Sequence, residues 1–127
     1  MIEATLRQII DSVSILKEMM GMKMPVRTAY KIARISKEVQ NHVDSFTEIR
    51  NQLIEKYAER DEGGRIKQDE NGNISLERDK IEDFNNTINN ALQEQVIINS
   101  EQIDIEELME LNFSPNDMLL IEPFIKE

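Results

Sequence analysis

From Pro25 to about Arg60 the chain has no internal glycine or proline, and this uninterrupted stretch constrains the fold more than any other feature. At ~1.5 Å per residue it predicts a helical rod of roughly 50 Å. On 3-4 spacing its core line is Ile32, Ser36, Val39, Val43, Phe46, Arg50, Leu53 and Tyr57, flanked by Ile35, Ile49 and Ile54. Two of those eight places are polar, which argues against a perfect zipper and still leaves a clear packed face. Asp61-Glu62-Gly63-Gly64 stops the helix.

A rod of that length needs elements to lie against. The opening segment repeats Leu6, Ile9, Val13, Leu16 and Met20 at helical spacing, widened by Ile10 and Met19. Gly21 and Pro25 punctuate its end, so Gly21–Met24 reads as a tight connection between antiparallel helices. A third helix is expected from about Glu77 to Gln93, with Ile81, Phe84, Ile88 and Leu92 on one face. Between the second and third helices, short β-type stretches at Arg65–Lys67 and Asn73–Leu76 flank Asn71-Gly72, a hairpin signal whose register the residues leave open. Val96-Ile97-Ile98 suggests a short strand, and Ile105–Leu111 a short helix. Ser114-Pro115-Asn116-Asp117 is a helix start with Ser as N-cap and Pro in the first turn, leading into a last helix over Met118–Ile125. No internal repeat is evident.

The expected architecture is therefore mainly α, in one domain over residues 1–127. A helical hairpin takes residues 1–60, a small β-hairpin is inserted at 61–76, and a third helix and a C-terminal tail of short helices take 77–127. The first and third helices together match the length of the second and would lie end to end along it. Such a slab is two helices thick and buries little apolar surface per residue, so a partner chain is expected to cover the rest.

Composition agrees with thin helical layers: charged residues make up 31%, aromatics 5%, and Trp is absent. There is no cysteine, which excludes disulfides and thiolate metal sites. The N-terminus lacks a basic run before an apolar stretch, so no secretory signal is expected, and no apolar run approaches the ~18 residues of a membrane span. Net charge is −10 and uneven. Residues 1–60 hold ten Lys/Arg against eight Asp/Glu, and residues 61–127 hold five against seventeen. The acidic second half disfavours wrapping of DNA by the whole surface, while the first half can still present a local basic patch.

Motifs for chemistry are scarce. His42, the one histidine, lies beside the apolar stripe with no nucleophile or carboxylate motif around it, and reads as a half-exposed structural residue. Asp69, Asn71 and Asn73 imitate the start of a calcium loop, but Ile74 and Lys80 stand where glycine and glutamate are required, which leaves a turn. Gly63-Gly64 has no phosphate-loop context. Met19, Met20, Met22 and Met24 cluster at the first turn, where Met19 and Met20 read as caps on the core rather than a methionine-rich binding surface. The residues therefore predict neither catalysis nor a cofactor or metal.

Binding is a different matter. Arg27, Lys31 and Arg34 share one helix face opposite Ile32 and Val39, within the basic run Lys23–Lys37. That face suits phosphates or the acidic half of another subunit, or it is a solvated surface. Tyr30 is its one aromatic companion, so stacking of single-stranded bases is expected to be weak. Glu106, Glu107 and Glu110, with Asp79, Glu82 and Asp83, form acidic faces, read as solvated surface ahead of nucleic-acid mimicry. Val39, Val43, Phe46, Leu53 and Tyr57 are the candidate oligomer interface. Arg50, on the same line, is a candidate for a specific contact, paired with Glu48 or with a partner's acid, since an unpaired buried arginine is costly.

One longer pattern resembles a known family. Pro25-Val26-Arg27-Thr28-Ala29-Tyr30-Lys31-Ile32-Ala33-Arg34 leads to Phe46-Thr47-Glu48-Ile49-Arg50-Asn51-Gln52-Leu53-Ile54-Glu55-Lys56-Tyr57. Asp61-Glu62-Gly63, Asp69…Asn71-Gly72-Asn73, and Phe113-Ser114-Pro115…Pro123-Phe124-Ile125 follow. Together these resemble short proteins of unknown function from phages and prophages of Gram-positive bacteria. The resemblance covers most of the chain and implies a viral origin and a location in the host cytoplasm or the virion. It carries no catalytic residues. The expectation is a non-enzymatic phage accessory or assembly protein that acts as a homo-oligomer and contacts another phage or host protein. Two alternatives stand beside it: an acidic inhibitor of a host nuclease or polymerase, and a nucleic-acid binder using the basic helix face.

Overall fold

The computed structural model describes residues 1–126. In chain order the elements are β1 (Ile2–Thr5), α1 (Leu6–Asp11), α2 (Val13–Met20), α3 (Val26–Tyr57), α4 (Ile81–Leu92), β2 (Gln95–Ile98), β3 (Ile103–Asp104), α5 (Pro115–Ile121) and β4 (Ile125–Lys126), with 3-10 turns at Arg78–Lys80, Ile105–Leu108 and Glu122–Phe124. The protein is mainly helical, and the 32-residue α3 dominates it. The chain forms two compact units: one is Met1–Val43 with Gln93 onward, the other Asp44–Leu92. No helix among the described residues is long and apolar enough to cross a membrane.

The first unit holds the main core. Ile9, Ile15, Leu16 and Met19 from α1 and α2 meet Ile32, Ile35 and Val39 of α3, and Ile103, Leu108, Ile121 and Phe124 from the C-terminal segment complete the cluster. Its strands were only half foreseen. The apolar triplet 96–98 is indeed a strand, and its antiparallel partner is β1, with Ile2 opposite Ile98 and Ala4 opposite Val96. In β1 Ile2 and Ala4 are buried and Glu3 is exposed, the two-residue alternation of a half-covered strand. A second pairing, parallel, joins β3 to β4.

The opening helix departs from expectation in two ways. It starts at Leu6, where Thr5 caps it with Gln8 in a reciprocal capping box. It is also interrupted at Ser12, a fully buried residue whose Oγ donates to the Ile9 carbonyl at 2.7 Å. A serine that bonds back to the preceding turn bends a helix. The buried line is consequently Leu6, Ile9, Ser12, Leu16 and Met19, with Ile15; Val13 is half-buried and Met20 is 55% exposed. Ser114 caps α5 as its sequence predicts, receiving the Asp117 amide while Asp117 receives that of Ser114.

The second unit carries the C-terminal half of α3, α4 and a small β module between them. The expected hairpin is a three-limbed structure. Ala58 pairs with Leu76, Arg60 with Ile66, and Gln68 with Ile74, so each limb bonds to both of the others. The spacing is eight residues throughout: Asp61-Glu62-Gly63-Gly64-Arg65-Ile66 is followed by Asp69-Glu70-Asn71-Gly72-Asn73-Ile74, an internal repeat concealed by its shortness. Both turns are built alike. The Asp61 carboxylate accepts the amides of Gly63 and Arg65, and the Asp69 carboxylate those of Asn71 and Asn73, at 2.8–3.0 Å. Gly64 and Gly72 hold φ of +79° and +80°, where a side chain is strained. The register problem disappears because Ile66 and Ile74 occupy equivalent places on successive limbs rather than opposed places on one hairpin. The third helix is shorter than expected, since Arg78–Lys80 form a 3-10 turn before α4.

Candidate functional site

The basic face predicted on α3 exists, but not all its members are free. Lys31 is drawn inward: its Nζ donates to Glu107 Oε2 at 2.9 Å, with Glu101 a further 4.0 Å contact. Glu107 is shared three ways. It also accepts the Thr28 hydroxyl at 3.1 Å and the Asp104 amide at 3.0 Å, the latter as half of a capping box on the Ile105–Leu108 turn. Lys31 and Glu107 side chains are only 13% and 17% exposed. Hydrogen bonding from Lys31 holds the Glu107 carboxyl below its usual range, and the same bond raises the Lys31 ammonium. Lys31 is therefore a latch between α3 and the C-terminal segment, and of the three predicted basic residues it is the one held by an acid of its own chain.

Arg27 and Arg34 remain exposed and form no ion pair among the described residues. They line an open groove of about 530 Å³ with Tyr30, Lys31, Ser100 and Glu101. Tyr30 is 63% exposed, and the Arg34 guanidinium carbon sits 5.8 Å from its ring centre. A second groove of about 480 Å³ continues past Tyr30 and Arg34 to Lys37 and Asn41. Ser100 is tied to Glu38 at 3.1 Å.

The other predicted residues separate between the two units. Val39 is 2% exposed inside the first unit's own core, so it is not available to a second chain, and Val43 packs against that core half-buried. This takes Val39 alone out of the expected interface. Phe46, Leu53 and Tyr57 are half-buried in the second unit, beside Ile49 at 48% exposure. Arg50 is exposed, and no hydrogen bond or ion pair to Glu48 is found among the described residues. It borders a groove of about 370 Å³ lined by Ile54, Ile74, Leu76 and Phe84.

Other readings resolve simply. His42 is half-buried. Asp69 is a turn residue, its carboxyl held low first by the Asn73 amide. Met19 is core, Met22 and Met24 pack against the core, and Met20 is exposed. Among the described residues no group of three or more His, Asp or Glu side chains is placed to hold a metal ion. The residue that sequence reasoning missed is Glu107, read there as part of a solvated acidic face. The spacing Asp104-x-x-Glu107 is a capping-box signature and was the available signal. Compared with protein-family profiles, with curated proteins and with solved structures, the chain matches none.

Proposed function

We propose that the protein acts by binding other chains, first of all a second copy of itself, through the apolar face of its Asp44–Leu92 unit. One observation carries this reading. Among the described residues of that unit only Ala58 is a buried apolar residue, while Phe46, Leu53, Ile54, Tyr57, Leu76, Phe84 and Ile88 are half-covered and Ile49, Ile74 and Ile81 are exposed. A unit so thinly filled recovers little of its conformational entropy by itself. In this reading α4 and the end of α3 form an antiparallel helix pair whose open side receives the partner.

A second copy is the favoured occupant because Phe46, Arg50, Leu53 and Tyr57 continue on 4-3-4 spacing, the seam of a helix–helix interface. A twofold arrangement sets that seam against itself. Arg50, exposed in the middle of it, fits the role of a polar residue that fixes register. The phage-family resemblance extends the proposal to an accessory or assembly role in the host cytoplasm or the virion, with another phage or host protein as the eventual partner.

Hydrogen exchange at two protein concentrations tests it. Amides of residues 46–57 and 81–92 should exchange more slowly in the concentrated sample, while those of α1 and α2 stay unchanged. Protection in 46–57 and 81–92 that is independent of concentration would contradict self-association through this face.

A further inference from the structure

We propose that the Arg27–Tyr30–Arg34 face of α3 is a binding site for single-stranded nucleic acid, separate from the self-association surface. In a chain of net −10, with acids in excess, Arg27 and Arg34 have no ion-pair partner among the described residues. The neighbouring cation Lys31 has been recruited by Glu107, so the fold distinguishes a structural lysine from arginines left facing solvent. Arg27, Tyr30, Arg34 and Lys37 follow one another at spacings of three, four and three residues, one stripe about 15 Å long. The two grooves that meet at Tyr30 and Arg34 run beside this stripe.

Tyr30 decides the class of ligand. An acidic protein segment would need only the guanidinium groups. A tyrosine ring 63% exposed, with an arginine over it, adds the stacking and cation–π surface that unpaired bases use. Two acids border the grooves and set a bound on strength. Glu38 accepts a hydrogen bond from Ser100, and Glu101, highly exposed, lies 4.0 Å from Lys31. Binding is therefore expected to be weak, local and salt-sensitive. A duplex, whose bases are already stacked, cannot use Tyr30.

The test is fluorescence anisotropy of the full-length protein with a labelled oligothymidylate, with a duplex of equal length and labelled poly-glutamate as comparators. Three single-strand contacts, from Arg27, Arg34 and Lys37, predict a salt slope near −2, so affinity falls about fifteenfold between about 50 and 200 mM salt. Tyr30→Ala should weaken oligothymidylate binding about tenfold. The double variant Arg27→Gln/Arg34→Gln should lower affinity at least as much and flatten the slope by about 1.4. All three side chains are exposed, and circular dichroism checks that the fold persists. Absence of oligothymidylate binding at low salt overturns the proposal. Equal binding of the duplex overturns the single-strand assignment. Equal binding of poly-glutamate, with Tyr30→Ala without effect, overturns it in favour of an acidic protein segment.

Discussion

Glu107→Ala is expected to lower the stability of the protein by about 2 kcal/mol, a fall of roughly 8 °C in Tm. The substitution deprives Lys31, Thr28 and the Asp104 amide of a common acceptor in a place that is only 17% exposed. Part of the loss is recovered because Lys31 can turn toward Glu101 and water, which keeps the figure below that of a fully buried pair. Glu107→Gln retains acceptor geometry without charge and should cost about half as much.

The pH dependence follows from the two shifts. Glu107 is depressed in the folded state, so its contribution is complete above the ordinary carboxylate range and disappears as pH falls through the lower folded value. Lys31 is raised, so its contribution is complete below its ordinary range and disappears only as pH rises through the higher folded value. The stability difference between wild type and Glu107→Ala, measured by urea unfolding, should be flat from about pH 6 to 9 and shrink below about pH 4. A difference that persists undiminished at pH 3, or no difference at pH 7, would remove the latch from the account.

The second large effect is on association. Leu53 lies on the proposed seam and Ile49 flanks it one turn earlier, already 48% exposed within one chain. Ile49→Glu combined with Leu53→Glu places four carboxylates at a twofold interface. With each desolvated charge costing on the order of 1–3 kcal/mol, self-association should weaken a hundredfold or more. Ile49→Glu alone, at the more exposed place, separates this effect from damage to the fold. Its far-UV dichroism should match wild type while its dimer fraction falls. Unchanged association in both variants would exclude this face.

What the residues disclosed, and what they concealed, has a physical pattern. The long helix was legible because its limits are backbone chemistry: Pro25 fits the first turn, and no breaker follows before Gly63. Observed α3 ends at Tyr57 because Ala58 pairs with Leu76, a contact that no local signal announces. The Ser114-Pro115 start was legible for the same local reason. By contrast, β1 is four residues long and its partner is some ninety residues away, so neither periodicity nor turn chemistry marks it. The eight-residue repeat escaped because it lies below the lengths at which repeats are sought. Among candidate residues, spacing correctly grouped Arg27 and Arg34 on one face but could not tell that Lys31, between them, is recruited by Glu107. Nor could it tell that the apolar line of α3 changes character between Val39, buried in its own core, and Leu53, half-covered. Periodicity identifies a face; only tertiary contacts decide who covers it.

The central claim is that the Asp44–Leu92 unit is completed by a second chain, and absolute mass by light scattering behind a sizing column tests it most directly. At micromolar concentration and at both low and high salt, the account predicts a species of at least twice the 14.8 kDa chain mass, since an apolar interface resists screening. A monomer that persists up to high concentration would contradict it.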